Sequence, residues 1–182
     1  MQDFAQWSLD AIREEGASLS WLEELRFEWV IPTSACIYEI LSGKSIVLIT
    51  DTQREWLAHY ILGKINAPRP ERPLIPIVNI ESIYPHYDML SGGEMIDMLE
   101  DMLQLSFGER YIFWYIGRGE DKRADIAKRR DDTYFWIFDE DYQSSFKLNS
   151  HDSHLDIKLL QLFRLFDQSL NAAMFGEVDV GS

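Results

Sequence analysis

The sequence has a single cysteine, Cys36, so no disulfide can form within the chain and a reducing compartment is expected. Positive charge is scarce: 17 Lys and Arg stand against 31 Asp and Glu, a formal charge of −14. A field of that sign repels phosphate backbones and anionic headgroups, which argues against direct nucleic-acid binding and against a membrane partner. Long apolar runs are missing as well, and none approaches the ~18 residues of a membrane span. The first residues form an amphipathic stretch instead of the charged and apolar regions of a signal peptide, and a cytoplasmic protein is expected. Phosphate-cradling glycine loops are absent too. Gly92-Gly93 and Gly117-Arg118-Gly119 are the only glycine clusters, neither has the spacing of a dinucleotide fingerprint, and both read as turns.

What is present is apolar bulk. Hydrophobic residues make up 46% of the 182 and aromatics 13%, far from the composition of a disordered chain. At this length folding hides about 70% of the surface of the unfolded chain, enough for one domain over residues 1–182. Cys36 shares a helical face with Ile37, Ile40 and Leu41 and reads as a small buried hydrophobe.

Periodicity divides that domain into three parts. Residues 1–43 read as helical: Phe4, Ala5, Ser8, Leu9 and Ile12 form one stripe ending near Gly16, and Trp21, Leu22, Leu25 and Trp29 form a second. Pro32 separates that second helix from a third carrying Cys36, which stops at Gly43. Across 45–150 short apolar runs recur at 46–49, 74–80, 111–116 and 134–138, with a weaker fifth at 145–148. Helical patterns lie between them, on Trp56, Leu57, Tyr60 and Ile61, on Met95, Met98, Leu99 and Met102, and around 124–127. Strands apolar on both faces, alternating with helices, predict an α/β fold, a three-layer parallel sheet flanked by helices. Pro76 cannot donate a ladder hydrogen bond, so the second strand belongs at an edge or starts late, at Ile77. The stretch 68–73 reads as a stiff Pro-rich loop.

Residues 152–175 form the strongest helix, with an N-cap at Asp152 or Ser153. Leu155, Leu159, Leu162, Phe163 and Phe166 are its main stripe, and Ile157, Leu160 and Leu165 widen it. A helix apolar over most of its circumference is covered on two sides, the second cover being another subunit or a neighbouring helix.

Chemistry is hard to find. In an open α/β sheet ligands sit beyond the carboxyl ends of the strands. There Thr50, Asp51 and Thr52 open a helix and offer a candidate small-molecule pocket, although Asp51 opposes an anion and helix capping is the simpler role. Asp139, Glu140 and Asp141 follow the fourth run and with Asp51 offer hard oxygen ligands for Mg²⁺, as acidic loops in so acidic a chain commonly do without binding metal. His151-Asp152-Ser153-His154 holds the residue types of a hydrolase triad, but neighbours in sequence cannot converge as a triad must. Arg118, Lys122, Arg123, Lys128, Arg129 and Arg130 crowd one segment, interleaved with acids, and read as a solvated helix face. Catalytic residues, metal ligands and cofactors are therefore assigned to none.

The final helix is the point of recognition. The run His151-Asp152-Ser153-His154-Leu155-Asp156-Ile157-Lys158-Leu159-Leu160-Gln161-Leu162-Phe163-Arg164-Leu165-Phe166 resembles the C-terminal helix of the HobA family, bacterial factors that bind the replication initiator DnaA. Thr50-Asp51-Thr52-Gln53-Arg54-Glu55-Trp56-Leu57-Ala58-His59-Tyr60-Ile61-Leu62 resembles that family's first strand-to-helix junction, and Glu71-Arg72-Pro73-Leu74 its approach to the second strand. The similarity keeps its order over almost the entire chain. It implies a sugar-isomerase-like fold used without chemistry and a homotetramer that binds the N-terminal domain of DnaA, helping several initiators assemble at the origin. Fixed spacing of several docking sites makes later encounters among bound partners effectively intramolecular. Leu155, Leu159, Leu162, Phe163 and Phe166 are then candidates for the subunit contact. Phe27, off its helix's stripe, with Met174, Phe175 and Trp7, are candidate anchors for the partner. The alternative is a phosphosugar- or nucleotide-binding enzyme of the same fold, working at Thr50, Asp51 and Thr52.

Overall fold

A computed structural model describes residues 1–68, 72–90 and 92–181. The chain opens with a two-residue strand β1 (Gln2–Asp3) and helix α1 (Phe4–Glu14), capped where the Asp3 carboxylate accepts from the Gln6 N–H at 3.1 Å. Two 3₁₀ turns, Gly16–Ser18 and Ser20–Leu22, lead into α2 (Arg26–Leu41). There follow β2 (Ser45–Thr50), α3 (Glu55–Ile65), β3 (Ile77–Asn79), α4 (Ile80–Ile83), α5 (Gly93–Phe107) and β4 (Tyr111–Arg118). The chain then forms α6 (Lys122–Ala127), β5 (Tyr134–Phe138), β6 (Ser145–Leu148), α7 (Leu155–Met174) and β7 (Val178–Asp179).

Strands β2 to β6 make one sheet in the order β3-β2-β4-β5-β6, every neighbour parallel. β1 pairs with β7, joining Gln2 to Val178. Strand geometry sends alternate side chains to opposite faces, and both faces are covered. Ile112, Trp114 and Ile116 of β4 enter a core shared with α1, α2, α3 and α7, whereas Tyr111, Phe113 and Tyr115 enter a second core shared with α5 and α6. The first core is aromatic at its centre: the Trp114 ring lies 4.7 Å from Phe166 of α7 and 5.1 Å from Trp136 of β5, centroid to centroid. The three-layer α/β architecture predicted from the runs is thus the observed one.

Several local expectations shift. Pro32 does not divide two helices but sits buried inside α2. An internal proline costs about 3 kcal/mol, and here one face of α2, with Trp29, Thr33, Cys36, Ile37 and Ile40, is buried continuously across it. The predicted helix over Trp21 to Leu25 shrinks to a 3₁₀ turn, with Trp29 moved into α2. β3 keeps only Ile77–Asn79 and lies at the sheet edge, as Pro76 requires. α7 starts at Leu155 with His154 as its N-cap, one or two residues later than the expected caps, and Asp152 turns its carboxylate onto the His154 N–H at 2.9 Å. Residues 69–71 of the predicted Pro-rich loop, including Glu71, lie outside the described residues.

Candidate functional site

Because β3 and β4 flank β2 on opposite sides, the strand order reverses between β2 and β4, where an open sheet normally leaves its ligand crevice. Here the chain's own polar side chains tie together the base of the crevice, and polar depressions of about 520 and 550 Å³ stay open above it. Asp51, buried just past β2, accepts from the Arg118 N–H at 3.0 Å and pairs with the buried Arg54 at 3.1 Å. Gly117 is needed for that approach: a Cβ there would lie 2.8 Å from the Cβ of Asp51. The buried Thr50 offers its carbonyl to Arg123 at 3.1 Å, and the same guanidinium reaches Glu55 at 2.9 Å. Of the three expected pocket residues only Thr52 is open. It borders a shallow depression of about 520 Å³ in which Arg118, Lys122 and Arg123 are matched by Asp88, Glu120 and Asp121. An anion entering there would find Arg123 already engaged.

The acidic residues after β5 do not converge either. Asp139 accepts from the Ser150 N–H at 2.9 Å, Glu140 pairs with Lys128 at 2.9 Å and Asp141 with Lys147 at 2.7 Å. Burial raises the Asp139 carboxyl, but its hydrogen bonds from Ser150 outweigh that and hold it below the usual carboxylate value. Among the described residues no three or more His, Cys, Asp or Glu side chains are grouped to hold a metal ion. The basic segment is a solvated face in part: Lys122 and Arg129 are exposed, Arg129 pairing with Asp97 and Glu100 at the surface, whereas Arg123 is buried and Arg130 pairs with Asp132. The tract 151–154 is a helix approach, in which Asp152 also takes Lys158 at 2.6 Å.

Unused apolar surface is therefore the remaining resource. The expected subunit contact on α7 is corrected by burial: Leu155, Leu159, Leu162, Phe163 and Phe166 all lie in this chain's own first core. The second side of that over-apolar helix is covered by α1, α2 and α3. α2 turns apolar residues outward instead. Phe27, 59% exposed, and Ile31, 64% exposed, align with Tyr38 and Leu41 along it, all four open to solvent. Leu41 thus parts from Cys36, which is buried as expected. Sequence reasoning missed Ile31, Tyr38 and Leu41 because it split α2 at Pro32. The spacing i, i+4, i+11, i+14 from Phe27 becomes one stripe only on a continuous helix.

A second surface lies where α1 meets the end of α7. A concavity of about 550 Å³ is lined by Trp7 together with Asp10, Glu14, Glu15 and Glu177, and has no cationic lining residue. Trp7 is half-buried, stacked on Phe4 at 6.1 Å. Just beyond, Met174 is half-buried and Phe175 is 51% exposed. Phe27 belongs to α2 and does not line this concavity.

A doubly wound parallel sheet whose switch-point carboxylate is held in its own ion pair, with polar depressions of mixed charge at the sheet top and spare apolar area on the outer helices, defines a class: a three-layer, doubly wound α/β protein. Within that class, a family model described as HobA, DNA replication regulator, matches residues 1–180, and the chain belongs to the HobA family. It is 30% identical to the DNA replication regulator protein HobA of Helicobacter pylori, over 98% of this chain and 99% of that one. The crystal structure of HobA from that organism superposes with a TM-score of 0.77 at 26% identity, covering 98% of this chain and 99% of the other. A crystal structure of a HobA–DnaA (domain I-II) complex, also from Helicobacter pylori, matches over the same shares with a TM-score of 0.76 at 26% identity.

Proposed function

We propose that this chain is a non-catalytic adaptor that binds the N-terminal domain of DnaA in the cytoplasm and, as a homotetramer, promotes initiator assembly at the chromosomal origin. The observation that carries this is the likeness, over 98% of the chain, to a HobA protein crystallised with DnaA domain I-II. Thr50, Asp51 and Arg123 are engaged with one another's elements, which supports a structural role for them at the sheet top. No membrane-spanning helix occurs among the described residues.

The concavity of α1 and α7, with Trp7 in its wall and Met174 and Phe175 beside it, is the surface we assign to the initiator domain. It joins an aromatic anchor to an acidic rim, the combination that gives affinity from burial and register from charge. Phe27 goes with the subunit contact instead. Two copies of a −14 molecule repel, so self-association needs a face poor in carboxylates. On α2 Glu28 is the one exposed acid, and Glu39 is half-buried against Lys44 at 2.8 Å.

The decisive experiment is a calorimetric titration of the full chain with the isolated N-terminal domain of DnaA. Saturable binding is expected, weakened by Trp7→Ala and Phe175→Ala. Absence of heat at about 100 µM, a free energy near −5.5 kcal/mol, overturns the reading.

A further inference from the structure

α5 is a helix with two apolar stripes where its own fold needs one. Ile96, Leu99, Leu103 and Phe107 face the second core and hold the helix on the sheet. Met95, Met98, Met102 and Leu105, at i, i+3, i+7 and i+10, form a second stripe turned outward, with Met98 66% and Leu105 89% exposed. Beside it the chain from Tyr84 to Leu90 makes the opposite wall of a narrow apolar groove of about 50 Å³, lined by Tyr84, Leu90, Met95, Met98, Leu99 and Met102. The size admits one aliphatic side chain. Flexible thioethers shape themselves to such an insert, and so a methionine-lined groove suits an apolar helix face better than a small rigid ligand.

Charge selects the occupant. Glu94 and Asp101 are exposed and border the outer stripe on α5, and neither has an ion pair among the described residues. The acids Asp97 and Glu100, on the flank away from the groove, are neutralised by Arg129. A second copy seated here would bring unpaired carboxylates against unpaired carboxylates in an already acidic molecule, whereas a cationic segment would neutralise them.

We infer that the groove between α5 and residues 84–90 is a docking site for a basic amphipathic helix of a protein partner, apolar residues inserting between the methionines and Lys or Arg meeting Glu94 and Asp101. This surface is separate from those assigned to the initiator and to self-association, and it does not rest on those assignments.

The test uses the full chain labelled at the methionine ε-methyls and two synthetic helices of about 14 residues, long enough to form on a surface, one of Leu and Lys and one of Leu and Glu. The Leu/Lys helix is expected to shift Met89, Met95, Met98 and Met102 and to leave Met1 and Met174 in place. Met98→Asp is expected to weaken binding at least about tenfold without moving the unfolding midpoint, because the side chain is mostly in solvent. Glu94→Gln with Asp101→Asn is expected to remove most of the salt dependence. Equal binding of the Leu/Glu helix, or no methyl shift with either, overturns the inference. Methyl shifts that follow protein concentration without peptide also overturn it, since the occupant would then be a second copy. Loss of DnaA-domain binding in Met98→Asp overturns it too, because the groove would be the initiator's site; failure of the wild-type chain to bind that domain leaves this test unaffected and counts against the adaptor reading alone.

Discussion

Asp51 shows how a residue that reads as a ligand can be a structural member. Its carboxylate holds Arg54 and the β4 end together inside a region that water scarcely reaches. Removing one member of a buried pair leaves the other charge desolvated. Asp51→Ala is accordingly expected to lower unfolding free energy by about 3 kcal/mol in urea titration, while DnaA-domain affinity in the folded fraction is kept. Asp132 acts more gently. Burial raises its carboxyl, but hydrogen bonds and charge from Arg130 and Lys44 outweigh that and hold it below the usual value. A depressed carboxylate stabilises the fold above its unfolded pKa, about 3.9, and that contribution disappears as pH falls through the lower folded value. Asp132→Asn should therefore cost about 1 kcal/mol at neutral pH, and the gap to wild type should close below pH ~4 in acid titrations followed by circular dichroism.

At the scale of elements, α2 and α7 exchange the roles that hydrophobicity alone assigns them. The wide stripe of α7 is buried because three helices and the sheet pack on it, leaving Asp156, Ile157, Arg164 and Gln168 on its open face, and α2 keeps a free stripe because none of the described residues covers its outer side. Two substitutions separate the cases. Leu162→Ala opens a cavity in the monomer core and is expected to lose about 3 kcal/mol of stability with subunit number unchanged. Ile31→Glu adds charge at an exposed site and is expected to leave monomer stability nearly intact but split the proposed homotetramer in sedimentation velocity. An unchanged sedimentation coefficient for Ile31→Glu would move the contact off α2.

The molecule as a whole works through number and spacing in the proposed reading. Per-site affinity and assembly then become separable quantities. A single-subunit Ile31→Glu variant should bind the DnaA N-terminal domain as tightly as wild type, yet fail to increase initiator occupancy of origin DNA in a footprinting assay, because effective concentration is lost with the second site. Full activity of the monomer would remove multivalency from the mechanism.

The residue order alone determined the architecture. Runs such as 111–116 and 134–138 are apolar at every position, and only a sheet covered on both faces buries both alternations at once. It also determined the buried Cys36, the edge position that Pro76 forces and the acidic field. Tertiary structure decided what is surface. Pro32 lies within a helix because contacts distant in sequence outweigh a local penalty, and only that continuity aligns Phe27 with Ile31, Tyr38 and Leu41. In the same way the stripe on α7 is core, Arg123 of the basic cluster after β4 is buried against Glu55, and one methionine row of α5 is left in water. Periodicity records that a face is apolar, but which neighbour covers it depends on the packing of segments a hundred residues apart.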